Sequence, residues 1–283
     1  MLTDFLKQRL LRGAVRRLNN IKLARMAREV MDCAPHASGA PVAFFKVSTG
    51  LDDLSWNSGF HLLSTWALRL QGIPVVYFAC RSGMSHCVLG TNRDDPHKQP
   101  PCQSCVDQAR TLYEGLDPIK HTGANRSVSG VWWFTYREET ALAWALEHLP
   151  LEKLKEFEFH GLPLGPLCLP GLRWILRRHN LDDDEGTRYL LREYILSAWN
   201  VAQEFTHFLD ETQPRAVVVF NGQFYPEAVA RYVAQQRGLR VITHEVGLQP
   251  ASAFFRKAWS RPFISGQNWM PAIENCPWKR FSK

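Results

Sequence analysis

Four cysteines fall within FACRSGMSHCVLGTNRDDPHKQPPCQSC, residues 78–105: Cys80, Cys87, Cys102 and Cys105. The two residues between Cys102 and Cys105 let both thiolates reach one tetrahedral ion, the spacing of half a zinc knuckle. With Cys80 and Cys87 they would close a structural zinc site that pins the loop and leaves no open position for catalysis. His86 and His97 could each replace a cysteine. The long loop between Gly90 and Pro101 has little other means of becoming ordered. Two other readings stand beside zinc: four thiols without metal, and a redox dithiol at Cys102 and Cys105, although Pro100-Pro101 rather than a strand end precede it.

A second set of reactive side chains sits at the ends of short apolar runs. Ala216 to Phe220 is nearly all apolar and β-branched, as suits a strand buried on both faces of a parallel sheet, and Asn221-Gly222 ends it. Phe224 to Arg237 reads as a helix stopped by Gly238, and Arg240 to Thr243 as the next strand, followed by His244-Glu245. The same pattern appears earlier. Val42 to Val47 reads as a strand ended by Ser48-Thr49-Gly50; Phe60 to Gln71 as a helix capped by Ser58 or Asn57; Ile73 to Ala79 as a strand. Right-handed crossovers then predict an α/β fold, a Rossmann-like parallel sheet flanked by helices, whose ligands bind beyond the carboxyl ends of the strands. No G-x-G-x-x-G follows Val47, so a dinucleotide fingerprint is absent.

Between and beyond these units, Gln103–Tyr113, Glu138–Leu149, Leu151–Phe159 and a long stretch from Glu185 to Asp210 read as helices. The Gly/Pro-rich segment 160–171, HGLPLGPLCLPG, reads as a break packed down near the cleft. Asn125 and Arg126, in a glycine- and serine-containing loop, could meet an anionic group or stand in a solvated turn. The acidic run 182–185 complements a helix start, and consecutive carboxylates there do not converge on one magnesium or manganese ion.

Composition bounds the function classes. The chain has 283 residues, a net charge of +7, 45% hydrophobic and 12% aromatic residues, ample for a folded core. Seven cysteines, no signal-peptide pattern and no apolar run near bilayer length lead to the expectation of a cytoplasmic protein. Much of the positive charge lies in a basic amphipathic helix over residues 5–30, interrupted near Gly13 or Asn19-Asn20. Such a helix can lie peripherally on an anionic membrane surface or pack on the domain. RNA binding would account for the charge, but the basic residues are not interleaved with an aromatic recognition motif, so the pattern argues against nucleic acid as a partner. The expected organisation is a basic helix over 1–35, a sheet domain over 36–250 with a Cys-rich insertion at about 80–105, and an aromatic tail over 251–283.

One resemblance is carried by short patterns. A strand followed by Ser48-Thr49-Gly50 with Asp52 and Asp53, then Gly59-Phe60-His61 opening a helix that ends Leu70-Gln71-Gly72-Ile73-Pro74-Val75, resembles the amino-terminal domain of GT-B glycosyltransferases. Asn221-Gly222 and His244-Glu245-Val246-Gly247 resemble the second half of that domain in bacterial surface- and capsular-polysaccharide enzymes. The resemblance spans about residues 40–250. It implies an acceptor-binding half of an enzyme that moves a sugar from a nucleotide-sugar to a polysaccharide or lipid-linked acceptor, with the donor held by a carboxyl-terminal domain or partner chain. On that reading Glu245 is the first candidate base, His61 and His244 the next, and Ser48, Thr49, Gly50, Asp52, Asp53, Asn221 and Gly222 hold substrate. The alternative is a non-catalytic binding module with a structural zinc site.

Overall fold

Six strands and eight α-helices make up the described part of the chain, in a computed structural model that describes residues 2–47, 55–113, 130–247, 249 and 252–257. In chain order they are α1 (Leu2–Cys33), β1 (Val42–Lys46), α2 (Trp56–Leu70), β2 (Val75–Cys80), α3 (Cys102–Leu112), β3 (Gly130–Phe134), α4 (Thr140–Leu146), α5 (Leu151–Lys155), α6 (Leu164–Leu176), α7 (Glu185–Thr212), β4 (Ala216–Phe220), α8 (Tyr225–Gln236), β5 (Arg240–Val246) and β6 (Ala253–Lys257). All six strands join one sheet in the order β3-β2-β1-β4-β5-β6. The first five are parallel, and β6 returns antiparallel along β5. This is the α/β, Rossmann-like sheet the sequence predicts, with the order reversing beside β1, where open sheets of this kind leave a crevice for ligands.

The strands are apolar throughout because both faces are covered. On one face Phe45, Phe78, Phe134 and Val219 meet α7 and α8; on the other Phe44, Tyr77, Val131 and Val218 meet α1, α2 and α3. Phe78 stacks between Phe45 and Phe134, with ring centroids 5.3 and 4.6 Å away, and Phe205 of α7 meets Phe45 and Phe78 edge-on, each at 5.2 Å. Offset and edge-on ring pairs each add about 0.5–1.5 kcal/mol beyond the area they bury. The 28-residue α7 thus forms the spine of the larger core. Asp184 starts it by accepting a hydrogen bond from the Thr187 amide at 2.7 Å.

Several local expectations are corrected. Helix α1 runs unbroken through Gly13 and Asn19-Asn20, since isolated glycine or asparagine costs a helix only about 1 kcal/mol or less. Its two halves differ: Leu23, Met26, Ala27 and Val30 pack on the sheet side at helical spacing, whereas Leu11, Val15, Leu18 and Ile21 are exposed. Segment 160–171 is not a break. From Leu164 it is helical through Pro170, because Leu164, Cys168 and Leu172 are wholly buried and that packing outweighs the proline penalty. Strands β3 and β6 had no expectation, the latter drawn from the aromatic tail. The cap of α2 is Ser55, whose Oγ accepts from the Ser58 amide at 3.2 Å. Asn125, Arg126 and the tail beyond Lys257 lie outside the described residues. Among the described residues no helix is long and apolar enough to cross a membrane.

Candidate functional site

Strand β1 ends on a lysine, and a strand covered on both faces has nowhere exposed to put it. Lys46 is 9% exposed, stands in register with Ala79 of β2, and donates from Nζ to Ser58 Oγ at 2.7 Å. Ser58 is itself buried in the first turn of α2, with its Oγ 2.9 Å from the Oγ of Ser55. Burial brings the Lys46 ammonium down to about 7, against the pull of Cys105 and of Glu227, a buried carboxylate in the first turn of α8. Near neutral pH this amine is therefore only partly protonated.

One turn further along α2 stands His61, and its Nδ1 lies 3.1 Å from Nε2 of His244 on β5. Each ring is 2% exposed. Phe44 meets His61 edge-on at 4.8 Å, while Phe220 and Phe255 flank His244 at 5.8 and 5.6 Å. Burial holds His61 well below the usual imidazole range, with His244 and Lys46 adding to the effect; burial, then Lys46, brings His244 down to about 4. At neutral pH both rings are neutral, so each carries one N–H, and one of them donates in the shared contact. Neither outer nitrogen, His61 Nε2 nor His244 Nδ1, has a hydrogen-bond partner among the described residues. Whichever ring donates inside, the outer pair is always one N–H donor and one lone-pair acceptor.

The other expected residues fall elsewhere. Ser48, Thr49, Gly50, Asp52 and Asp53 lie outside the described residues. Asn221 and Gly222, with φ of +31° and +72°, form the turn after β4. Asn221 Oδ1 accepts from the Gln223 amide at 2.8 Å, and its own amide donates to the His244 carbonyl at 2.9 Å. Side chains alternate along a strand, so Glu245 faces away from the His244 side. It is exposed, with Oε1 accepting from the Val246 amide at 2.9 Å. The fold brings His61 and His244 together and does not bring Glu245 to them. Sequence reasoning missed Lys46 and Glu227. The available signal was Lys46 itself, a charge closing the otherwise apolar run VAFFK.

Cys80, Cys87, Cys102 and Cys105 line one small cavity with Val47, Met84, Leu89, Pro100 and Val106, and none of the four is in a disulfide. The Gly83 amide donates to Cys80 Sγ and the Gly90 amide to Cys87 Sγ, each at 3.2 Å. Burial raises the Cys80 thiol and pushes Cys87 up to about 12. His86 and His97 turn to α7 instead: His86 Nδ1 lies 3.6 Å from Glu193, and His97 lies 3.6 Å from Glu185 and 4.1 Å from the Tyr189 ring. The expectation that this loop lacks other means of order is corrected by the same helix. Ser85 N donates to Ser197 Oγ at 3.0 Å, Thr91 Oγ1 lies 2.9 Å from Tyr194 OH, and Asn200 Nδ2 donates to the Gly83 and Thr135 carbonyls at 2.9 and 3.0 Å.

No protein-family model matches the chain, and no curated protein matches it. Among solved structures it is similar to AlbC, a cyclodipeptide synthase from Streptomyces noursei, with a TM-score of 0.34 and 13% identity over 68% of this chain and 88% of that one. It is also similar to cyclo(L-leucyl-L-phenylalanyl) synthase, with a TM-score of 0.31 and 13% identity over 77% of this chain and 92% of that one. The expected recognition as a GT-B glycosyltransferase half, with its polysaccharide function, is corrected by these findings: both of these similar structures are cyclodipeptide synthases. The physical reason is that the patterns carrying the resemblance are the punctuation of β-α-β units, such as the Asn221-Gly222 turn, which any doubly wound sheet needs. At so low a TM-score, the likeness assigns no reaction to this chain.

Proposed function

We propose that this chain is an enzyme acting on a small polar molecule, with proton transfer through the His61–His244 pair as its chemistry. The observation that carries the reading is the buried 3.1 Å contact between the two rings, with both outer nitrogens lacking partners among the described residues. A proton taken at the outer lone pair of one ring shifts the shared proton across the contact and releases the outer proton of the other. The pair ends neutral, in the opposite tautomeric arrangement. It can therefore remove a proton from one atom of a ligand and deliver one to another without building charge in a dry site. Such a ligand must carry both a hydrogen-bond donor and an acceptor, and α-hydroxycarbonyl compounds are the simplest class that does. Lys46, partly neutral and held by Ser58, tunes the rings through its charge. A reducing compartment such as the cytoplasm accords with the thiol state of the six described cysteines.

Exchange of carbon-bound hydrogen in heavy water, followed by proton NMR over a panel of α-hydroxyaldehydes, α-hydroxyketones and α-hydroxyacids, tests the reading. At least one compound should exchange, and His61→Gln and His244→Gln should each slow that exchange by ~10² to 10⁴. Exchange that is absent across the panel, or that survives both substitutions, would overturn it.

A further inference from the structure

The four cysteines carry a second inference, independent of the histidine pair. We propose that Cys80, Cys87, Cys102 and Cys105 bind one zinc ion in a tetrahedral, all-thiolate, structural site.

Three local features converge on the cavity these residues line. Cys80-Arg81-Ser82-Gly83 and Cys87-Val88-Leu89-Gly90 share one design: in each, the amide of the fourth residue, a glycine, points at the sulfur of the first at 3.2 Å. Such a turn presents a sulfur outward and supplies an N–H that offsets thiolate charge. Gly83 is required there, because a Cβ would lie 2.2 Å from the Phe134 ring. The third feature is Cys102-Gln103-Ser104-Cys105, which opens the 11-residue α3, so both sulfurs lie in the first turn, where the positive end of the helix favours anions. Two knuckle turns and one two-residue spacing together supply four ligands.

The chemistry of the cavity selects the ion. Its other lining is mostly apolar, with Val47, Met84, Leu89, Pro100 and Val106. A divalent cation bound there would displace the thiol protons to solvent as each sulfur takes the metal. Four soft ligands in a closed set match zinc, and a closed set leaves no position for catalysis. As the residues stand, no three histidine, cysteine or carboxylate side chains among those described are at metal-holding distances. Zinc binding would have to draw the four sulfurs together from these positions. The net charge of −2 on a zinc tetrathiolate would be offset by the Gly83 and Gly90 amides and the start of α3.

The test uses the full chain, purified without chelator or affinity metal. Elemental analysis is expected to give close to one zinc per chain, and a mercurial thiol reagent should release that zinc as four sulfurs react. Cobalt substitution should produce the visible bands of a tetrahedral tetrathiolate. Cys80→Ser, Cys87→Ser, Cys102→Ser and Cys105→Ser should each lower zinc content at least severalfold, whereas Cys33→Ser and Cys168→Ser should leave it unchanged. If the cysteine variants fail to fold, the cobalt spectrum of the unsubstituted chain decides alone. Folded protein that neither contains zinc nor takes up cobalt, a cobalt spectrum of nitrogen or oxygen ligands, or iron in place of zinc would each overturn the proposal.

Discussion

The two polar clusters at the carboxyl edge of the sheet are assembled in opposite ways. The cysteine cavity is built almost entirely from one stretch of chain, residues 80–105, by two tight turns and the start of α3. The sulfurs of Cys80 and Cys87 meet backbone amides within their own turns. The histidine cluster instead joins side chains from β1, α2 and β5, and its central contact spans 183 residues of sequence. Only the finished sheet creates it. The difference teaches that the first cluster can be formed locally and then pinned by α7 through Asn200 and Ser197, whereas the second exists only as long as β1, β4 and β5 hold register. It also separates their electrostatics. Without metal, burial favours the neutral thiols of Cys80 and Cys87; the other cluster holds bases whose protonated forms are opposed by desolvation.

That contrast is open to substitution, and the largest effect belongs to Lys46. An unfolded lysine keeps its proton up to about 10.5, whereas in the fold Lys46 loses it above about 7. Between those values the unfolded state binds more protons, so this group's contribution is complete above the upper value and is lost as pH falls through the lower one. Denaturant unfolding across that window should show the unsubstituted chain gaining roughly 4 kcal/mol relative to Lys46→Met. A difference independent of pH would remove Lys46 from the desolvated cluster.

His244 should give a smaller effect in a lower window. Its folded value near 4 lies below the ordinary 6.5, so stability from keeping it neutral is complete above the ordinary value and is lost as pH falls toward 4. The gap corresponds to roughly 3 kcal/mol, and His244→Phe should flatten that part of the acid limb. Unchanged acid unfolding in the variant would show that His244 titrates normally.

The cysteine side responds to shape rather than charge. Gly83→Ala places a methyl group against the Phe134 ring and should cost about 1–3 kcal/mol, as overpacking does, with little dependence on pH. Outside both clusters the Arg237–Asp210 pair, 2.5 Å apart and substantially exposed, should matter least: Arg237→Ala is expected to cost under about 1 kcal/mol and to vanish in high salt. Thermal melts at low and high salt check both.

How much of this was legible follows from how each part is assembled. The strands Val42–Lys46 and Ala216–Phe220 were readable because burial on both faces demands an apolar run, and α7 because one apolar face and an acidic start persist over many turns. The cysteine spacing was visible because its geometry is local. His61 and His244 were each placed at a strand end or helix start, but their contact depends on β4 lying between β1 and β5, which neither residue's neighbourhood states. Glu245 and His244 are adjacent, and only the pleat decides which of them faces α2. Helix α6 was hidden by Pro163 and Pro170, whose local signal is a break, until burial of Leu164, Cys168 and Leu172 is known.

The most direct measurement of the central claim is the protonation of the two rings, read from nitrogen-15 NMR of imidazole-labelled protein as pH is lowered. The account predicts that His244 remains neutral through about pH 5 and that His61 stays neutral well below the ordinary imidazole range, with one exchange-protected N–H correlated with both Nδ1 of His61 and Nε2 of His244. Titration of either ring near its ordinary value, or two rings with no shared proton, would contradict it.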